Sequence, residues 1–406
     1  MGQHTSVAID QDTGKIWVSY YDATLGDLKV ALYMRQNGNC GPDNSWRCQT
    51  VDSAGDVGKY NSIAVWQDKL MVAYYDASNQ NLKLAMSDDP IHWVWDIVTL
   101  DTALGDTPST GLYTSAQYSD TGQEFIAYYF DNPAGADALK VAYHTYASGN
   151  CPHPDVAETW RCDTIASGEG VGQFASLVVA GGVNHEVHMA YYNGGTSELW
   201  FATTLCDKVC NCGFWEGDMA CYPVTGASTD AGKYASLYVD SGNHFHIAYY
   251  DATNQELRYA VQVDDSSGNC GVLGSAQCDT IDSMQADYHP LGISIAEDAN
   301  GYPIIAYQSA NGYLNWARPL AALGWPAGSG NCGPENPLST WHCETIDRPG
   351  SWVPYRNGDF VSMAMSPSGF ATIAFYRLYT EHSDGNLVVA RYRPHPVFLP
   401  LVVKKP

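Results

Sequence analysis

Short apolar runs, separated by clusters of Gly, Asp, Asn and Ser, make up most of the chain. Runs such as Ser62-Ile63-Ala64-Val65 and Ser236-Leu237-Tyr238-Val239 are strand-sized, and polar turns such as Gln11-Asp12-Thr13-Gly14 and Asp240-Ser241-Gly242-Asn243 accompany them. A second strand then ends in a doubled tyrosine and an acid. A third reads like Leu257-Arg258-Tyr259-Ala260, and a longer loop leads to a fourth such as Trp46-Arg47-Cys48-Gln49-Thr50-Val51. Phe245-His246-Ile247-Ala248-Tyr249 is apolar or aromatic on both faces, the pattern of a strand packed from two sides. No long Ala/Leu/Glu/Lys stretch predicts a helix, and no segment reaches the roughly 18 apolar residues of a membrane span.

The tyrosine phrase is periodic. It stands at Tyr20-Tyr21-Asp22, Tyr74-Tyr75-Asp76, Tyr128-Tyr129-Phe130-Asp131, Tyr191-Tyr192-Asn193 and Tyr249-Tyr250-Asp251, with weaker copies at Tyr307-Gln308 and Phe375-Tyr376-Arg377. That makes seven units, each long enough for four strands and their loops. Seven copies at a long period predict an all-β chain folded as one seven-bladed β-propeller of four-stranded antiparallel blades. The blades are expected near 1–53, 54–102, 103–166, 167–225, 226–283, 284–347 and 348–406. Gly2-Gln3-His4 matches the connectors Gly58-Lys59-Tyr60 and Gly232-Lys233-Tyr234, so the chain is expected to open on an innermost strand. The doubled tyrosines are expected to pack between blades, with their hydroxyls bonded to loop groups.

The stretch from Ser19-Tyr20-Tyr21-Asp22-Ala23-Thr24 through Leu25-Gly26-Asp27-Leu28-Lys29-Val30-Ala31 resembles the repeats of bacterial secreted β-propeller proteins of the "SYYDATNGDLKYA" type. The resemblance runs over nearly the whole chain and implies an architecture and secretion, not an activity. More distantly the layout is similar to sialidase propellers, whose Ser-x-Asp-x-Gly-x-Thr-Trp box is missing. Ser119-x-Thr121-Gly122 lies in a different turn. The ending from Val397 to Lys405 resembles apolar tails on secreted proteins of some filamentous bacteria. Blade seven's outermost strand is the preferred reading, since an edge strand tolerates proline.

Charge narrows the partners. The net charge is −24, and of 44 acidic residues 11 are Glu, which leaves 33 Asp, a residue of turns and loops. Such a field repels phosphate backbones, so nucleic acid is not an expected partner, whereas divalent cations and cationic partners are favoured. Twelve cysteines fall largely in close pairs, which points to an oxidising compartment and a secreted or cell-surface protein. No signal peptide precedes the first repeat, so a mature or trimmed chain is expected. Four pairs share an Asn-Cys frame in the strand three-to-four loop: Cys40–Cys48, Cys151–Cys162, Cys270–Cys278 and Cys332–Cys343. In the fourth unit Cys212 is expected to pair with Cys221, leaving Cys206 for Cys210. A four-thiolate zinc site is the competing reading of that cluster.

Chemistry is expected where the repeat breaks, on the face built by the strand two-to-three loops and blade connectors. Blades six and seven break it most. Arg377 replaces the repeated acid, and its loop carries Tyr379, Glu381, His382, Ser383 and Asp384. The preceding connectors carry Tyr288 and His289, and then Arg348, Trp352, Tyr355 and Arg356. Aromatic faces and bidentate arginines suit sugars or carboxylates. No Gly-x-Ser-x-Gly elbow, His-Glu-x-x-His or phosphate loop is present, and ten arginines without an ordering motif do not define a sialidase. The repeated Asp22, Asp76, Asp131 and Asp251 admit a calcium reading, but a ring spreads single carboxylates apart and Asx-turn capping is simpler. No catalytic residue, metal site or cofactor is assigned, with calcium as the alternative. The expected function is a non-enzymatic extracellular binding or surface-structural module with a glycan or protein ligand. The alternatives are a glycan-active hydrolase or lyase on blades six and seven, and a self-associating sheath or filament subunit.

Overall fold

The computed structural model describes residues 2–402, except 103–107, 146–148, 155, 157, 182–184, 207–209, 214–218, 227–228, 285–291, 327, 334–339, 348–354, 380–383 and 393–398. At 355–357, 379, 384 and 399–402 it describes the backbone alone. Among these residues 28 strands form seven four-stranded antiparallel sheets, each built from strands consecutive in the chain. The protein is a seven-bladed β-propeller. Its innermost strands are Gln3–Ile9, Val57–Trp66, Ser109–Tyr118, Val171–Ala180, Ala231–Val239, Ile293–Glu297 and Tyr355–Met365. Leu399–Val402 pairs with the third strand of blade seven and completes that sheet.

There is no single core. The buried apolar side chains divide into seven clusters, and each lies between two adjacent blades. The period of two explains how. On the second strand of blade two, Tyr74 joins Leu28 and Val30 of blade one, while its neighbour Ala73 joins Ile126 and Tyr128 of blade three. Every second strand therefore has to be apolar on both faces.

Two repeated positions hold the blades in register. In each innermost strand a serine hydroxyl accepts the backbone N–H of the next blade: Ile63 N–H to Ser6, Ala116 to Ser62, Leu177 to Ser115, Leu237 to Ser176, Ile295 to Ser236, Met363 to Ser294 and Val7 to Ser362, all at 3.0–3.1 Å. The belt closes on itself. Because no strand is exchanged between blades one and seven, that last bond is part of what joins the chain's two ends, with Gln11 Nε2 donating to the Met365 carbonyl at 3.2 Å. Four residues before the serine stands a glycine in most blades. At Gly58 (φ +105°) a Cβ would lie 2.8 Å from Leu28 Cα of the preceding blade, so only glycine lets the connector pass.

The tyrosine phrase behaves as its chemistry predicts. Asp52, at the end of blade one, accepts from the Tyr74 hydroxyl at 2.6 Å and from Lys83 Nζ at 2.5 Å, and Asp101 does the same with Tyr128 and Lys140 of blade three. Asp282 accepts from Tyr307 at 2.5 Å. The closing acid caps its own turn: Asp22 Oδ1 accepts the Thr24 N–H at 3.1 Å, and Asp76 and Asp251 accept those of Ser78 and Asn254 at 3.0 Å.

All twelve cysteines are paired, as Cys40–Cys48, Cys151–Cys162, Cys206–Cys210, Cys212–Cys221, Cys270–Cys278 and Cys332–Cys343. The zinc reading of the fourth unit is thereby replaced by two disulfides. The frame asparagine has its own task. Asn39 accepts the Cys48 N–H at 2.7 Å and donates to the Cys48 carbonyl at 3.1 Å, so its amide acts as a strand neighbour for an edge that has none. Asn211, Asn269 and Asn331 repeat both bonds.

Ser176→Ala leaves the Leu237 N–H without its acceptor and is expected to lower the unfolding free energy by about 1–3 kcal/mol in a denaturant titration. A loss within error would show that water replaces the belt. Burial pushes the Asp52 carboxyl up, but the bonds from Lys83, Tyr74 and the Ala54 N–H together hold it below its ordinary value. A lowered carboxyl stabilises the fold above its unfolded pKa and loses that effect as pH falls through the folded value. Asp52→Asn should therefore be less stable than the parent at neutral pH, and the gap should narrow below about pH 4. A gap constant from pH 7 to pH 3 would contradict this.

Candidate functional site

Of the ten residues expected to form a ligand site, Tyr288, His289, Arg348, Trp352, Glu381 and His382 lie outside the described residues. The backbone pairs Tyr355 with Tyr379 and Arg356 with Leu378, next to Arg377 opposite Asn357, so these positions share one end of blade seven. Arg377 itself is engaged. Its guanidinium forms an ion pair with Asp347 of blade six and is mostly covered. The reason lies in the repeat. Asp347 occupies the place of Asp52 and Asp101, whose donors are a tyrosine and a lysine of the next blade. Blade seven offers Phe375 and Val388 at those two positions, and Arg377 supplies the missing donor. Burial raises the Asp347 carboxyl while Arg377 pulls it back.

The same pair of blades carries a large cavity at the other end of the barrel. It has a volume of about 950 Å³ and opens among the blade-six turn at Asp298–Asn300, the strand three-to-four connection of blade six, and Gly369 and Tyr392 of blade seven. The connection walls one side of it. It runs from Leu320 to Thr340 and starts with a single helical turn, Leu320–Leu323, stopped by Gly324 at φ +65°. Trp325 follows, half exposed, with its ring edge-on to His342 at 4.7 Å.

Inside, Arg318 is 7% exposed, and its guanidinium lies over the Trp316 ring at 4.7 Å. Trp316 packs edge-on against Tyr392 with ring centres 3.9 Å apart, and the Tyr392 hydroxyl donates to Glu344 at 3.0 Å. Arg318 has no ion pair within 4.0 Å among the described residues, and its Nε is buried without a partner. His342 Nδ1 is likewise unpartnered. Burial lowers the Arg318 guanidinium, with Tyr392, Glu344 and Asp298 opposing it, and burial also lowers the His342 imidazole. Burial, followed by Glu344, pushes the Tyr392 hydroxyl up to about 12. The cavity thus offers donors from Arg318, an acceptor at Glu344 and an aromatic face at Trp325. Sequence reasoning chose this sector but missed these residues. A signal was present: the position after the third-strand alanine is Leu32, Met86, Tyr143, Thr203 and Val261 in blades one to five, and arginine only in blades six and seven.

A second feature lies on the axis. His4, Tyr60, Tyr113, Phe174, Tyr234 and Phe360 each stand two residues before the belt serine, each at a φ of +51° to +56°. Side chains other than glycine rarely adopt that region. Here a bulge in each strand imposes it and turns the ring inward. From Phe360 through His4 to Tyr234, neighbouring ring centres are 4.4–4.8 Å apart and tilted by 43–61°. Those tilts bracket the roughly 51° of sevenfold radial repetition, so the rings stand like paddles and line an axial space of about 210 Å³. Blade six breaks the ring with Gly292, where a Cβ would lie 2.2 Å from the Val361 nitrogen. Burial lowers the His4 imidazole to about 3, so it is neutral in this ring.

No family model matches the chain, and no curated protein does. Solved structures share its layout. SapL1 lectin in complex with α-methyl fucoside is 13% identical, over 82% of this chain and 97% of that one, with a TM-score of 0.44. The Aleuria aurantia lectin AAL is 12% identical over 85% and 96%, at 0.44. A Hadza microbial sialidase is 12% identical over 76% of this chain, at 0.45, and this chain spans 63% of its length. At these values the likeness assigns no ligand, and the fold rests on the chain's own strand order.

Arg377→Ala should uncover the Asp347 carboxyl and lower thermal stability, whereas Arg377→Lys should recover part of the loss. Full stability in the alanine variant would release Arg377 for ligand binding.

Proposed function

We propose that this protein is a secreted, non-catalytic carbohydrate-binding propeller whose ligand occupies the cavity between blades six and seven. The observation that carries the reading is a buried guanidinium with no acceptor among the described residues, Arg318, in one cavity with the Glu344 carboxylate and a half-exposed tryptophan on its wall. A sugar presents what that set lacks. One hydroxyl accepts from Arg318, a neighbouring hydroxyl donates to Glu344, and the C–H face of the pyranose stacks on Trp325. The charges of Arg318 and Glu344 compensate each other, which favours a neutral sugar. Glu344 already accepts from Tyr392, which suits an acceptor better than a proton donor. The six disulfides suit an oxidising, extracellular compartment. Tyr288, His289, Arg348, Trp352, Tyr355, Arg356, Tyr379, Glu381 and His382 are proposed as a separate contact surface.

The test is a glycan array probed with oxidised protein, followed by calorimetry on the best ligand and product analysis after incubation. Trp325→Ala and Arg318→Gln should each weaken binding at least tenfold, and no product should form. Unchanged binding in both variants would move the site elsewhere, and weakening in Trp352→Ala alone would move it to the separate contact surface. Released sugar would replace the binding module by a hydrolase.

A further inference from the structure

The junction of blades two and three carries a second cavity, at the same end of the barrel as the first and of opposite character. Its volume is about 530 Å³. The strand three-to-four hairpin of blade two has no cysteine pair, and its connection from Asp89 to Val94 is short. With no long loop folded over the junction, the groove between the blades stays open. Its wall carries four carboxylates, Asp88, Asp89, Asp96 and Glu124, and one lysine, Lys69; His92 meets Asp89 at 2.7 Å, and His144 lies 3.9 Å from Glu124. Lys69 meets Asp88 at 3.2 Å at the exposed rim. Leu70, Met86 and Val94 supply the apolar wall between the acids.

Ser87 is the independent sign of a ligand. It is 4% exposed, lines this cavity, and its hydroxyl has no hydrogen-bond partner among the described residues. A buried hydroxyl left unpaired is costly, and its lone pairs can accept an N–H from a ligand. Tyr118 lines the same wall, 8% exposed, and burial, then Glu124 and Asp88, push its hydroxyl up, so it stays protonated. Among the described residues no three acidic or imidazole side chains converge as a metal ion requires. Carboxylates spaced along an apolar wall match a cation whose charges are also spaced along an apolar chain.

We propose that this cavity binds an extended aliphatic amine, a linear polyamine or the lysine side chains of a basic peptide. The ammonium groups pair with Asp88, Asp96 and Glu124, Ser87 accepts one ammonium N–H, and the methylenes lie on Leu70, Met86 and Val94. The net charge of −24 draws such a cation toward the protein from a distance. This proposal is independent of the sugar site, and neither depends on the other.

Calorimetry with spermidine at physiological salt tests it, with a Lys-Ala-Lys peptide as the second arm; the tighter binder identifies the source. One saturable site is expected. It should weaken at least fivefold in Asp96→Asn and in Ser87→Ala, tighten in Lys69→Ala, where Asp88 is released, and vanish for diacetylated spermidine. Melting curves matching the parent's confirm that the variants are folded. If Asp12→Asn, in an exposed turn of blade one, weakens binding as much as Asp96→Asn does, the amine is only a diffuse counterion and the site is overturned. Displacement of spermidine by an equal concentration of calcium would overturn it too.

Discussion

Seven serine hydroxyls, each accepting the N–H of the next blade's innermost strand, set the spacing on which the rest of this structure depends. The bond itself is modest. Its position is what matters, because the innermost strands crowd at the axis and an unpaired amide there has no alternative acceptor. Since Ser362 completes the belt at Val7, the first and last blades meet by the same bond as any other pair. Closure of the ring is therefore a repeat contact and needs no exchanged strand.

The belt also accounts for the strain beside it. Two residues earlier the chain bulges into a left-handed conformation, six times with an aromatic or imidazole side chain. A single such residue costs roughly 1–2 kcal/mol. The paddle-like stack offsets it by packing each ring against at least one neighbour at the axis. Gly292 marks where the two innermost strands come too close for any side chain.

Further out, the blades are keyed by charge. At the junctions of blades one and two and of blades two and three an aspartate accepts from a tyrosine and a lysine of the next blade, and the motif degrades elsewhere in an informative way. Blade six keeps the tyrosine and replaces lysine with Asn315. Blade seven loses both and recruits Arg377 from a neighbouring position. A residue that interrupts the repeat can thus be a repair of the repeat. Arg318, whose Nε has no partner among the described residues, sits one rim away, where a long loop walls the blade junction.

By itself the sequence determined the number of blades, the four strands of each, the Asx turns and the cysteine pairing. All of these are local or periodic: strand alternation has period two, a turn is defined within a few residues, and every disulfide closes a loop of at most 11 residues' separation. The tertiary structure alone decided what crosses between blades. Ser6 meets Ile63, Asp347 meets Arg377, and Arg318 faces Glu344 and Tyr392, partners whose separations follow no pattern that a single blade could display. Whether an arginine is tied down or left open depends on which acceptor the neighbouring blade presents. That is why Arg377 and Arg318, equally conspicuous as breaks in a repeat, came to such different ends.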